Sequence, residues 1–410
     1  MDNNKKNVPE IRFPGFTDPW EQRKLGDIMN ITSVKRIHQS DWTDEGVRFL
    51  RARDIVAAAK GEEPSDYLYI SQEKYDEYSS ISGKVAVDDL LVTGVGTIGI
   101  PYLVRSTDPL YFKDGNVIWF QNNNQINGEF FYYSFIGCQI QSFIHDSAGI
   151  GTVGTYTIDS GKKTPIYLPG IGEQERIGAF MASIDNLITL HQRKCDELKI
   201  YKKGLLQQMF PQPGESIPRI RFPGFTDPWE QRKLRDLIIE YKETVDADCT
   251  LPILTSSKTE GVVLQEDHFG SKQRHDITGY NILPRGYCTY RNRSDGVDFT
   301  FNINKCCDKG IISKFYPVFY GNNNNIHFIS LVLNHSDEVV HEIGYTCIGT
   351  GQKVLSFNDL QKMNIRIPCP QEQDRISKLF ESIDNTITLH QRKCDELKTY
   401  KKGLLQKMFV

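Results

Sequence analysis

The chain has 410 residues, which is enough for two or three domains that each bury a core of their own. Its 39% hydrophobic and 25% charged residues are typical of a globular protein, and no apolar run is long enough to cross a bilayer. A formal net charge of −3 excludes a broadly basic surface, so any contact with nucleic acid would depend on local basic patches.

The cysteines and the N-terminus indicate a cellular compartment. Nine cysteines are scattered without a C-x-x-C pair, and Cys306 and Cys307 are adjacent, which argues against a zinc ribbon or a disulfide framework. Residues Met1–Lys6 lack the apolar segment of a secretory signal. We therefore expect a protein of the reducing cytoplasm.

The first distinctive segment is Ile11–Asp27, because it recurs at Ile220–Asp236 with a single difference, Gly26 against Arg235. A second repeat relates Ile184–Phe210 to Ile383–Phe409, with 24 of 27 residues identical. Between these blocks the two halves have almost nothing in common. The flanks therefore perform one task twice, whereas the first insert (residues 28–165) and the second insert (residues 237–364) perform different tasks.

The first insert is predicted to be mixed α/β, with strands at 89–93 and 116–120 and a helix at 128–143. It holds 12 basic and 17 acidic residues. A strand through Arg48, Arg51 and Arg53 would place the three guanidinium groups on one face, where they suit guanine edges and phosphates. Lys35 and Arg36 lie in a predicted loop and are further candidates for DNA contact.

Two glycine-rich segments resemble cofactor loops. Gly94–Gly99 matches G-x-G-x-x-G, but a dinucleotide site needs a helix after the last glycine, and the following Ile100–Val104 predicts a strand. Residues 149–154 match the same pattern and also run into a strand-like segment. We interpret both as glycine turns, with Thr93 and Thr97 beside the first as candidate DNA contacts.

The sequence has no Walker A motif, no H-E-x-x-H motif and no Asn/Asp-Pro-Pro-aromatic motif of adenine methyltransferases. His145, Asp146 and Ser147 are neighbours in sequence, which is not the geometry of a catalytic triad. We therefore predict a non-catalytic chain that itself binds no cofactor and no metal.

A long helix is predicted after Pro169, with apolar positions spaced seven residues apart. Leu187, Tyr201 and Tyr400 are expected on the same widened stripe, and His191 and His390 are expected to be buried and hydrogen-bonded. About 37 residues at about 1.5 Å each give a helix near 55 Å. Because such a helix cannot bury its own stripe, the two copies are predicted to pack antiparallel on each other. The predicted seam comprises Ile177, Ile184, His191, Leu198, Leu205, Ile376, Ile383, His390, Leu397 and Leu404.

The second half follows a Pro-rich linker and carries its own polar candidates. The second insert has 12 basic and 15 acidic residues, and a strand-like run at 311–319. Its candidate DNA contacts lie in three short stretches: Ser256 and Lys258; Lys272 and Arg274; and Tyr290, Arg291 and Arg293. The C-terminus is predicted to lie near the N-terminal segment, which makes the organisation nearly circular.

These features resemble the specificity subunit of type I restriction–modification enzymes. The resemblance is carried by the doubled W-E-Q-R-K-L at Trp20–Leu25 and Trp229–Leu234, and by P-x-x-x-E-Q-x-R-I at Pro169–Ile177 and Pro368–Ile376. Asp88–Thr93 is similar to a G-D-L-L-V-T segment, with Asp88 in place of glycine. Arg235 also stands where the resemblance implies a glycine, in the turn after Leu234.

The resemblance implies an α+β fold in which two globular mixed α/β target-recognition domains are separated by two long antiparallel helices that form a coiled coil with pseudo-two-fold symmetry. The implied boundaries are 1–168 and 229–367 for the recognition domains, 169–210 and 368–410 for the helices, and 211–228 for the linker.

The resemblance also implies partners. Each domain would recognise one half of a bipartite site in double-stranded DNA. The helices would bind two methyltransferase subunits, which use S-adenosylmethionine to methylate adenine N6. Two restriction subunits, which use ATP and magnesium, would join the full complex, and no membrane is involved.

Two alternatives stay open. A scaffold could bind two copies of a partner protein without touching DNA. An enzyme of the glycine-loop methyltransferase class has less support, because neither glycine motif is followed by a helix.

Overall fold

The structure is a computed structural model that describes residues 7–148, 154–271, 276–296, 298–347 and 352–410. Among these residues, no helix is both long and apolar enough to cross a membrane. All nine cysteines are described, and each is a free thiol.

The first half of the chain ends in a long helix. A short 3-10 helix covers Gln39–Asp41. The remaining elements, in chain order, are β1 (Glu21–Lys24), α1 (Leu25–Ile28), β2 (Asn30–Thr32), β3 (Trp42–Thr43), β4 (Val47–Leu50), α2 (Ala52–Lys60), β5 (Leu68–Ile70), α3 (Gln72–Ser82), β6 (Leu90–Thr93), β7 (Pro101–Leu103), β8 (Leu110–Phe112), β9 (Val117–Gln121), α4 (Gly128–Ile136), α5 (Cys138–Ser147), α6 (Ile158–Lys163), β10 (Pro165–Leu168) and α7 (Ile171–Met209).

The second half ends in an equivalent helix, and a 3-10 helix covers Leu234–Asp236. Its other elements are β11 (Glu230–Lys233), β12 (Ile238–Tyr241), β13 (Leu254–Ser257), β14 (Gly261–Leu264), α8 (Gln265–Phe269), β15 (Asn281–Pro284), β16 (Cys288–Thr289), β17 (Arg293–Ser294), β18 (Asn302–Ile303), β19 (Lys309–Ile312), β20 (Val318–Gly321), α9 (Ile326–His335), α10 (Asp337–Thr346), β21 (Lys353–Val354), α11 (Phe357–Lys362), β22 (Asn364–Ile367) and α12 (Pro370–Lys407).

The described residues form two compact units. Unit 1 combines Met1–Gln192 with Gln391–Val410, and unit 2 is Arg193–His390. Each unit therefore contains one insert, part of α7 and part of α12. If the chain were divided at the ends of α7 and α12 instead, residues that pack in one hydrophobic core would be assigned to different units.

Each unit is closed by a repeated strand pair next to its long helices. In unit 1, β1 pairs antiparallel with β10. In unit 2, β11 pairs antiparallel with β22 in the equivalent register. Since the paired strands flank the insert, each insert begins and ends at the same place beside its helices.

The inserts resemble each other in the sheet next to the helices, although their sequences do not. Unit 1 has a four-stranded sheet in the order β2-β9-β6-β7, and unit 2 has one in the order β12-β20-β16-β18. Unit 1 adds a second four-stranded sheet, β3-β5-β4-β8, whereas unit 2 adds the two-stranded sheets β13-β14, β15-β19 and β17-β21. The difference between the inserts is therefore concentrated outside the shared sheet.

The long helices pack antiparallel within each unit, as predicted. In unit 1, Lys401 binds Asp185 at 2.6 Å, and the Sγ of Cys394 lies 3.9 Å from the carbonyl oxygen of Ile188. In unit 2, Lys202 binds Asp384 at 2.6 Å. Residues with higher numbers in α7 contact residues with lower numbers in α12, so the two helices run antiparallel. The predicted α+β class is confirmed.

All ten predicted seam residues are buried or partly buried. Ile177, Ile184 and Leu404 lie in the core of unit 1, and Ile376 and Ile383 lie in the core of unit 2. The prediction was wrong for Leu187, Tyr201 and Tyr400, which are exposed. The apolar stripe is therefore wider than the surface that the helices bury.

The C-terminal residues pack in unit 1, as the nearly circular organisation predicts. The N–H of Ile11 donates to the carbonyl of Lys407, and the ring of Phe409 packs edge-on against Trp20. In unit 2, the N–H of Ile220 makes the equivalent bond to the carbonyl of Gln208. Identical flanks therefore form identical local structure.

Several element predictions need correction. The run at 311–319 is two strands, β19 and β20, because Ser313–Pro317 turns the chain between them. The predicted helix at 128–143 breaks at Gly137 into α4 and α5. The second insert also contains helices α9 and α10, which were not predicted. The apolar residues of α9 are buried or partly buried, whereas α10 buries Val339 and Ile343 on one face and exposes Val340 and Tyr345.

The two departures from the family pattern have local explanations. Asp88 has φ of 69°, a left-handed conformation that glycine adopts more easily. A Cβ atom at Gly26 would lie 2.8 Å from the Cβ of Lys162. In the second copy the turn is the 3-10 helix, and the side chain of Arg235 is exposed.

Candidate nucleic-acid interface

The arginine cluster of the first insert lies where a strand turns into a helix. The prediction of one strand through all three arginines was wrong, because β4 ends at Leu50 and α2 begins at Ala52. Arg51 is the N-cap residue of α2, and its backbone N–H donates to Asp54 at 2.8 Å. Asp54 thus caps the helix, and the chain changes direction at Arg51.

The three side chains nevertheless meet around Asp66 and Tyr67. Arg51 and Arg53 both donate to the Asp66 carboxylate, at 2.8 and 2.6 Å, and Arg48 stacks over the ring of Tyr67 at 4.0 Å. The hydrogen bond from Arg51 lowers the pKa of Asp66 to about 2. Arg51 is held from two sides, since it also binds Asp54, whereas Arg53 is exposed and pairs with Asp66.

The remaining candidates of the first insert have separate partners. Lys35 lies over the ring of Tyr78 at 4.1 Å, and Arg36 binds Asp114 at 2.8 Å. Thr93 is fully buried and its hydroxyl donates to the carbonyl of Thr97, so Thr93 is not available for DNA contact. Thr97 itself is exposed.

The glycine segment beside Thr93 is a turn between strands β6 and β7, as predicted. Gly96 and Gly99 have positive φ values of 79° and 75°, and the next element is the strand Pro101–Leu103 rather than a helix. This geometry is unlike a dinucleotide loop. Most of the second glycine segment, 149–154, lies outside the described residues.

In the second insert, four candidates line one cleft of about 670 Å³: Ser256, Lys258, Arg291 and Arg293. They come from two segments 33 or more residues apart in sequence. The guanidinium of Arg293 lies over the ring of Phe315 at 4.6 Å, and Lys258 forms an ion pair with Asp298. A cleft with two exposed arginines, a lysine and a serine can donate hydrogen bonds to phosphates or base edges.

Three other candidates do not contribute to this cleft. Tyr290 is a core residue with no exposed surface, and its hydroxyl donates to the carbonyl of Leu355 at 3.1 Å. Burial raises its pKa, and its prediction as a DNA contact was wrong. Lys272 and Arg274 lie outside the described residues.

The sequence interpretation used the Glu-Gln at the start of each long helix only as part of the resemblance and gave these residues no role. Glu173 and Gln174 in α7, and Glu372 and Gln373 in α12, are buried polar side chains. Their partners include Asn127 and Asn325, which are the N-cap residues of α4 and α9. The available signals were the repeated Glu-Gln and a run of asparagines after a strand, Asn122–Asn124 in one insert and Asn322–Asn325 in the other.

The family comparison matches the chain twice. The model described as "Type I restriction modification DNA specificity domain" matches residues 17–199 and 227–399, which cover most of the chain. The chain belongs to this family. Each match includes one insert and most of the helix that follows it, so the two specificity domains correspond to the repeat found in the sequence.

Curated relatives carry related names. The chain is 26% identical over 165 residues to "Putative type I restriction enzyme specificity subunit S.HindORF215P" of Haemophilus influenzae, which covers 40% of each protein. It is 25% identical over 214 residues to "Type I restriction enzyme MjaVIII specificity subunit" of Methanocaldococcus jannaschii, covering 49% of this chain and 48% of the relative. The chain thus matches less than half the length of these relatives.

A solved structure shares the fold. The crystal structure of the type I restriction-modification system S subunit from M. genitalium aligns with a TM-score of 0.59 at 11% identity, over 98% of this chain and 99% of that one. Membership in a family of specificity domains agrees with the prediction that this chain is not itself an enzyme. Among the described residues, no group of three or more His, Cys, Asp or Glu side chains is arranged to hold a metal ion.

Proposed function

We propose that the chain recognises a bipartite site in double-stranded DNA, one half with each insert, for partner subunits that carry out the chemistry. The observation that carries the proposal is the contrast between flanks and inserts. The strand pair and the helix contacts are repeated in both units, whereas the candidate DNA surfaces differ: an arginine cluster around Asp66 in unit 1 and an open cleft in unit 2. Two different candidate DNA surfaces, each held by the same strand pair and helices, are suited to two half-sites of different sequence.

The helices supply two equivalent docking surfaces in this proposal. Leu190 and its equivalent Leu389, and Tyr201 and its equivalent Tyr400, are each more than half exposed. Packing within the chain does not require identical large apolar residues at exposed positions. A partner that binds both helices in the same way does require them, and we propose two methyltransferase subunits as that partner.

The cofactors belong to those partners. S-adenosylmethionine would bind the methyltransferase subunits, which would methylate adenine N6. ATP and magnesium would bind two restriction subunits that join through them. This chain would supply specificity alone.

The acidic composition of the inserts lowers the affinity for DNA that we expect from this chain alone. Because each insert has more acidic than basic residues, phosphate neutralisation falls largely to the partners. The inserts then contribute local contacts, and the length of α7 and α12 sets the spacer between half-sites.

The test is an insert exchange. Residues 28–165 are replaced by the corresponding insert of another specificity subunit, the chain is produced with its methyltransferase partner, and methylated adenines are mapped across a genome. One half-site should change while the other half-site stays the same. A change in both halves contradicts independent recognition, and methylation without a bipartite motif contradicts the function.

A scaffold that binds two partner copies without DNA contact is the second candidate, and the acidic inserts favour it. A gel shift of the complex with the methyltransferase distinguishes the scaffold from the DNA-recognition subunit. The gel shift is run at about 0.15 M salt, which is physiological ionic strength. A shift for a duplex with the mapped site, but not for a scrambled duplex, excludes the scaffold. Equal binding to both duplexes, or no binding, excludes sequence recognition.

A further inference from the structure

Each long helix begins with the same buried pair of polar residues. Glu173 and Gln174 open α7, and Glu372 and Gln373 open α12; all four side chains are at least 95% buried. Buried polar groups need hydrogen-bond partners, because an unpaired one costs the free energy of its lost hydration. The partners show what this pair connects.

The glutamate holds the segment that precedes the insert. Arg12 donates two hydrogen bonds to the Glu173 carboxylate, at 2.6 and 2.8 Å. Arg221 donates two to Glu372, both at 2.7 Å. The chain that enters each insert is therefore held to its helix by the same bidentate ion pair.

The glutamine holds the insert itself. The Oε1 of Gln174 accepts from the backbone N–H of Asn127, and its Nε2 donates to the carbonyl of Pro169. Gln373 bonds in the same way to the N–H of Asn325 and the carbonyl of Pro368. Each amide therefore uses its donor and its acceptor at once.

The asparagine that meets the glutamine is the N-cap residue of an insert helix. The side chain of Asn127 accepts from the N–H of Phe130, so α4 begins on the surface of α7. The approach is close, because a Cβ atom at Gly178 would lie 2.6 Å from the Oδ1 of Asn127. In unit 2 the residue equivalent to Gly178 is Ser377, whose hydroxyl donates to the Oδ1 of Asn325 at 3.1 Å.

We propose that this Glu-Gln pair is a positioning joint, which sets the orientation of each insert on its helix and therefore which bases the insert reaches. The inference rests on the proposed function. Its support is that two inserts unlike in sequence keep the same hydrogen bonds at one place. A base-reading surface must be held within about 0.5 Å and 10–20°, and a joint at the N-cap of α4 or α9 controls that angle for the sheet packed on it.

The test uses one substitution in two equivalent places. Gln174→Leu and Gln373→Leu each remove both amide hydrogen bonds and keep the side-chain volume close. Each variant is produced in complex with the methyltransferase partner, and methylated sites are mapped quantitatively. Gln174→Leu should reduce discrimination about tenfold at the half-site of the first insert alone, since two hydrogen bonds are lost. Gln373→Leu should do the same at the other half-site.

Conservative variants separate positioning from stability. Gln174→Asn and Gln373→Asn keep an uncharged amide but shorten it by one methylene, so they weaken both hydrogen bonds, and their half-site effects should be smaller than those of leucine. If a leucine variant does not fold, its asparagine variant is judged by the same half-site criterion. The proposed joint is refuted if one substitution lowers discrimination equally at both half-sites. It is also refuted if discrimination stays unchanged at the half-site of the insert that contacts the substituted glutamine. A wild-type map without a bipartite motif refutes the proposed function instead.

Discussion

The bidentate pair between Arg12 and Glu173 offers the sharpest test of how unit 1 is held together. The perturbation is Arg12→Ala. The Arg12 side chain is 11% exposed and Glu173 is 1% exposed, so the substitution leaves a buried carboxylate without its partner. Breaking a buried ion pair in this way costs about 3–5 kcal/mol. The exposed edge of Arg12 admits some water, so we expect the lower end, about 3 kcal/mol.

The expected change in melting temperature follows from the size of the unit. Unit 1 spans 212 residues, from 192 in its first segment and 20 in its second. For a unit of that size, 1 kcal/mol corresponds to about 2–4 °C. Arg12→Ala should therefore lower the midpoint of unit 1 by about 6–12 °C.

The assay combines a thermal melt, which gives the midpoint, with hydrogen exchange followed by mass spectrometry, which reports on each unit separately. Arg12→Ala should accelerate exchange in β9, and leave β20 of unit 2 unchanged. Arg221→Ala is the matched control, since Arg221 binds Glu372 with the same geometry and should produce the opposite pattern.

Two results would refute the reasoning. One is a shift of less than about 2 °C, which is below the cost of an unpaired buried charge. The other is equal acceleration in both units. A double variant, Arg12→Met with Glu173→Leu, should recover most of the loss, because it leaves no buried charge.

Further predictions concern spacing, docking, pH and base contacts. Inserting one heptad into both α7 and α12 should lengthen the spacer by about 10 Å, roughly three base pairs, with both half-site sequences kept. An unchanged spacer in methylation mapping would contradict the proposal that helix length sets the spacer. Leu190→Glu and Leu389→Glu should each remove one methyltransferase copy in native mass spectrometry, and two retained copies would exclude this docking surface. Burial, aided by nearby Lys202, lowers the pKa of His335 to about 4. The contribution of neutral His335 to the free energy of unfolding is therefore present above pH 6.5 and is lost as the pH falls towards 4. His335→Gln should make the urea midpoint of unfolding depend less on pH over that range. A variant whose midpoint falls as steeply as that of the wild type would argue against His335 as the cause. Arg293→Ala should reduce discrimination at the second half-site by about 1–3 kcal/mol in competition gel shifts, and no change would remove Arg293 from the interface.

The candidate DNA surfaces show the limits of sequence patterns. Arg48, Arg51 and Arg53 were expected on one strand face, although Arg48 and Arg51 are three residues apart and would point to opposite faces of a strand. The three side chains do meet, but around Asp66 and Tyr67, because the chain turns into a helix at Arg51. Tyr290 looked like a contact residue beside Arg291 because aromatic and guanidinium groups often share DNA surfaces. Its ring lies in the core instead, since neighbouring residues in a strand-like segment point in opposite directions.

The amino-acid sequence by itself determined the repeat, the two long helices, their antiparallel packing and the strand, rather than a helix, that follows the first glycine segment. These follow from local periodicity and from identity between segments, which are properties of the chain alone. Only the tertiary structure decided which polar residues are buried together, because partners such as Arg12 and Glu173 are 161 residues apart. It also decided that two unlike inserts share one sheet beside the helices and one Glu-Gln attachment. The glutamine side chains bond to backbone N–H and carbonyl groups of the inserts. Because almost every residue has these groups, the sequence does not indicate which of them the glutamine contacts.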